Sequence, residues 1–171
     1  MKVLKKIGIG FLILMAITYF FNALNTPGGM SVYPQSTPQQ TRRGVTTEQI
    51  AQMIDDSCKQ VWDGNYETKL DSEHDIFQVN VWSYDIDADL IERTKQGENI
   101  TFWNNMVKDL KSNVSTMQNS FNELNHDEIT CVLNLCDPIN RDVVYLSIAQ
   151  GVAGYDAVNG IDLLNNPDGN A

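Results

Sequence analysis

No aspartate or glutamate occurs in the first 45 residues of this 171-residue chain, although 22 follow. Five of the twelve basic residues (Lys2, Lys5, Lys6, Arg42 and Arg43) precede that point. The remainder therefore carries seven basic against 22 acidic side chains, a net charge of −15. A field of that sign repels nucleic acid and anionic lipid headgroups, and it accommodates cations or basic partners.

Reactive side chains are scarce too. There are three cysteines and two histidines, with no Cys-x-x-Cys pair, no zinc-ligand spacing and no Gly-x-Ser-x-Gly motif. Asp85, Asp87 and Asp89 begin like a calcium loop. Such a loop needs Gly at its sixth position and Glu at its twelfth, where this chain has Leu90 and Gln96. Helix capping accounts for these aspartates better. No metal and no cofactor are expected.

The amino-terminal stretch does have a long apolar run. Lys2, Lys5 and Lys6 precede Ile7 to Phe21, fifteen residues without a charge. A cleaved signal peptide needs a small-x-small site after the run, and Phe21-Asn22-Ala23 is a poor one. No cysteine follows the run, which excludes a lipoprotein. Residues 1–24 therefore read as an uncleaved signal anchor, a single membrane-spanning helix with its amino end in the cytoplasm. Secretion after cleavage is the alternative. Either reading puts the domain outside the cytoplasm, in a bacterial envelope. Residues 25–45, rich in Pro, Gly, Ser, Thr and Gln, have no face to bury and read as a flexible tether. Its average span is about 25 Å.

Residues 46–158 carry the folding signal. The clearest stretch is Trp103 to Leu124, whose apolar residues Trp103, Met106, Val107, Leu110, Val114, Met117, Phe121 and Leu124 recur at steps of three and four. That is one stripe on a helix of about six turns. Gln118 falls on its polar side. Thr46 or Thr47 caps an earlier helix that buries Ile50, Ile54 and Cys58 and ends at Gly64-Asn65. Residues 66–75 are polar and carry no clear pattern. Ile76 to Ile86 alternates like a strand, and a short helix capped by Asp85 or Asp87 follows. Ile129 to Gln150 reads as a hairpin turning at residues 137–142. Gly151 to Val158 adds a bulged continuation or a fourth strand, and residues 159–171 read as a loose tail. The expected fold is α+β: two main helices packed on a small, mainly antiparallel sheet of three to four strands.

Three groups of side chains are candidates for function. Trp82, Tyr84 and Tyr145 form an exposed aromatic patch if Phe77, Val79 and Val81 face the helices; with the faces exchanged, the aromatics are core. Cys58 and Cys131 both point inward, and in an oxidising compartment they are the pair that can form a disulfide; otherwise they are small buried hydrophobes. His126 lies near Cys131 and Cys136 in sequence, which is the sole basis for a small hydrolase or thiol enzyme as a rival reading. The favoured expectation is a non-enzymatic, membrane-tethered domain that binds an envelope protein.

Overall fold

The computed structural model describes residues 44–163, 165 and 166. The expected membrane helix and the tether up to residue 43 lie outside them. No helix among the described residues is long and apolar enough to cross a membrane.

Three helices and six strands follow one another as α1 (Thr47–Trp62), β1 (Tyr66–Asp71), β2 (Ile76–Trp82), α2 (Ala88–Lys95), α3 (Ile100–Asn122), β3 (Thr130–Cys136), β4 (Val144–Ala149), β5 (Val152–Asp156) and β6 (Ile161–Asp162). The strands form one sheet in the order β1-β2-β3-β4-β5-β6. Four of its pairings are antiparallel. β2 and β3 are parallel, because the chain returns between them through α2 and α3 and starts β3 at the end where β2 began.

This corrects the expectation of two main helices on a three- to four-stranded, mainly antiparallel sheet. The fold has three helices on a six-stranded mixed sheet. β1 escaped detection because its inward positions, Tyr66, Thr68 and Leu70, hold a single aliphatic residue; its order comes from the ladder with β2. β6 lies in the stretch read as a loose tail, and two residues pairing with β5 are too short to leave a pattern. The parallel β2–β3 pair was invisible for a different reason: register between distant segments is not written in either segment alone.

Local signals explain the helices. Thr46 accepts from the Gln49 amide while Gln49 reaches back to the Thr46 amide, a complete capping box. Asp87 caps α2 by accepting from the Leu90 amide at 2.9 Å. α1 stops at Asp63 and Gly64, both with left-handed backbone.

The stripe on α3 packs against β3 and β4, α1 packs against β1 and α3, and α2 packs on α3. Between them lies a core of Ile50, Ile54, Phe77, Val79, Val81, Trp103, Leu110, Val114, Phe121, Leu133, Leu135, Leu146 and Ile148, among others. The Phe77 and Phe121 rings meet with centroids 5.6 Å apart. Gln118 is buried instead of solvated. Its amide oxygen accepts from the Cys131 backbone at 2.9 Å, and its amide nitrogen donates to the Ile129 carbonyl at 2.6 Å. A polar side chain among apolar neighbours thus satisfies two backbone groups at the start of β3.

Candidate functional site

Residues directly opposite one another in a sheet point to the same face, so the pairing register assigns both faces. Phe77, Val79 and Val81 share theirs with Cys131, Leu133 and Leu135 and with α1 and α3. No helix packs on the opposite face among the described residues. Across it runs one side chain from each strand: Glu67, Asn80, Asn134, Ser147, Tyr155 and Asp162. Six strands at about 4.8 Å spacing make this row roughly 24 Å long. Its centre is organised by amides. Asn80 Oδ1 accepts from Gln78 Nε2 at 2.7 Å and from Asn134 Nδ2 at 3.0 Å.

A second cluster lies beside the middle of this row, two residues further along, where β2 and β3 finish. Trp82 lies opposite Cys136, and the Arg141 guanidinium carbon stands 3.9 Å from the centre of the Trp82 ring. The turn that carries Arg141 is built by Asp137. One of its carboxylate oxygens accepts from the Ile139 and Asn140 amides, both at 2.7 Å, and the other accepts from the Tyr145 hydroxyl. The Tyr145 hydroxyl and these turn amides hold the Asp137 carboxyl below the usual carboxylate range. Burial, and then Asp137, push the Tyr145 phenol up. Arg141 donates to the Asp137 and Pro138 carbonyls, which pins it over Trp82.

The predicted aromatics therefore occupy different settings. Trp82 is half-buried beneath Arg141, Tyr84 is 69 % exposed, and Tyr145 is 5 % exposed. Tyr145 turns inward because the ladder register shifts between Leu135 and Cys136. Val144, not Tyr145, then stands opposite Cys136.

Cys58, Cys131 and Cys136 are free thiols, all buried. Burial pushes Cys58 and Cys131 up to about 12. Burial also raises Cys136, against the opposing charge of Arg141. A nucleophilic cysteine requires the reverse shift. His126 stands near the beginning of β3, with Nε2 2.8 Å from the Val45 carbonyl and Nδ1 3.2 Å from Glu128. Cys136 ends that seven-residue strand, and the hydrogen bonds of His126 involve no cysteine.

A cavity of about 30 Å³ lies between α1, α3 and the sheet, lined by Ile54, Cys58, Val79, Leu110, Met117 and Leu133 among others. It has room for little more than a water molecule and its walls are apolar. An open cleft of about 330 Å³ beside α1 and β1 is lined by Glu48, Gln52, Asp55, Thr68 and Leu70; there Thr68 donates to Asp55 at 2.5 Å. No group of three or more His, Cys, Asp or Glu side chains is placed to hold a metal among the described residues.

Sequence reasoning missed Arg141 and the Asn80–Asn134 pair. The signal was present: amides at Gln78, Asn80 and Asn134 all take the outward parity of strands whose other parity is apolar. Arg141 is the only lysine or arginine after Lys111. No protein-family model, curated protein or solved structure matches this chain.

Proposed function

We propose that this protein is a membrane-tethered domain of a bacterial envelope that works outside the cytoplasm by binding another protein, without catalysing a reaction. The observation that carries the reading is the sheet with helices on one face only. A six-stranded surface with an ordered amide row and the Trp82–Arg141 stack beside it is broad enough for a protein partner. The net charge of −15 after residue 45 favours a partner with a basic surface. The apolar run behind Lys2, Lys5 and Lys6 supports the anchor.

Photo-crosslinking in intact cells tests the binding surface. A crosslinkable residue at Gln78 or Val132, on the open face, is expected to capture one envelope protein. The same residue at Lys108 on α3 is expected to capture none. Equal capture from both positions, or from neither, would count against the sheet face. Fractionation tests the anchor. The full chain is expected to stay with membranes in high salt, which strips electrostatically bound proteins but not a spanning helix. A soluble chain starting near Leu24 would overturn that part.

A further inference from the structure

Both ring nitrogens of His126 face acceptors. Nε2 is 2.8 Å from the backbone carbonyl of Val45, and Nδ1 is 3.2 Å from a carboxylate oxygen of Glu128. Neither a carbonyl nor an ionised carboxylate can donate. A neutral imidazole has one N–H, so it makes only one of these bonds; the imidazolium makes both. We propose that His126 is a proton-operated clasp that fastens the root of the amino-terminal segment to the domain.

The position of the clasp gives it consequence. Val45 immediately precedes Thr46, the cap of α1, and His126 lies in the connection from α3 to β3. The histidine thereby joins the entry of the chain to a point 81 residues later. The charged groups facing it are Glu128 in its own loop and Glu48 in the first turn of α1. Both favour the cation. The Val45 carbonyl, then Glu128 and Glu48, raise the His126 pKa above its ordinary 6.5. A folded pKa above the unfolded one means that the stabilisation is fully present below about 6.5 and fades as pH rises through the higher folded value. The clasp is fully closed in acid, with both bonds made, and loosens to a single bond towards alkaline pH, when one ring nitrogen has lost its proton.

Nitrogen-detected imidazole NMR on the full-length chain in detergent micelles tests the clasp. At pH ~6 both His126 ring nitrogens are expected at protonated shifts, with a titration midpoint above 6.5. The Val45 carbonyl carbon is expected to titrate with the same midpoint. Glu128→Gln, a change at a half-exposed side chain, is expected to lower the midpoint while leaving Val45 coupled to it. An unprotonated Nε2 at pH ~6, a Val45 resonance that ignores His126, or an unmoved midpoint in Glu128→Gln would each overturn the proposal.

Discussion

The indole N–H of Trp103 donates to Oδ1 of Asp156 at 3.0 Å, a bond between residues 53 apart in sequence. Asp156 is 1 % exposed. The same oxygen accepts from the Val158 amide at 3.0 Å and the Asn159 amide at 3.1 Å, and its partner oxygen accepts from the Asn159 side chain at 2.7 Å. One buried carboxylate therefore locks the first turn of α3 to the turn after β5.

Asp156→Ala removes the acceptor from four donors, two of them backbone. It is expected to cost about 3 kcal/mol or more in urea unfolding. Trp103→Phe, which leaves the carboxylate with its other donors, is expected to cost about 1–3 kcal/mol. The double variant should be less destabilised than the sum of the two, because they share one network.

Gly151 lies in the β4–β5 turn with φ +82°, and a Cβ added there would stand 2.2 Å from Ser115 Oγ on α3. Gly151→Ala is expected to destabilise by about 2 kcal/mol or more, from the left-handed backbone and the collision together. In a Ser115→Ala background the collision is relieved. The remaining cost should fall to roughly the backbone part, about 1–2 kcal/mol. Thermal unfolding of the four proteins checks the pattern.

Asp137 has its carboxyl held below its ordinary 3.8, chiefly by the Tyr145 hydroxyl. A lowered folded pKa contributes stability above the unfolded value, and that contribution is lost as pH falls through the folded one. Tyr145→Phe is expected to reduce stability at neutral pH and to flatten the decline below pH 3.8, measured by urea midpoints across an acid series.

Arg141→Ala uncovers Trp82 and removes the cation opposing the burial shift of Cys136. The loss of stability should be small, about 0.5–1 kcal/mol for a stack at the surface. Native-state thiol labelling is the sensitive readout. Cys136 is expected to react more slowly than in the wild type at a given pH, because its thiolate has lost the neighbouring cation, while Cys58 and Cys131 stay protected until the chain unfolds.

The α3 stripe was legible because burial of a single helix face repeats every three to four residues. Trp103, Met106, Val107, Leu110, Val114, Met117 and Phe121 are all buried. Gln118 was misread since its partners, the Ile129 carbonyl and the Cys131 amide, belong to a strand whose position the helix sequence does not encode. The strands from Ile76 and Thr130 were visible by alternation, but not their parallel pairing. Tyr145 illustrates the same limit: parity placed it outside, and a register shift against β3 turned it in. Local periodicity survives in sequence, whereas relations between elements are decided by packing and by partners far along the chain.

The clasp at His126 and the stack at Trp82 stand at opposite ends of the sheet, separated by the seven residues of β3, or about 23 Å. A load applied between these two poles runs along the strands. The ladder's hydrogen bonds lie across that direction. They would share the force together in shear, instead of opening one after another like a zip. A domain pulled from its root by whatever holds residues 1–43, and from its far end by a partner, would thus meet force along its mechanically stronger axis.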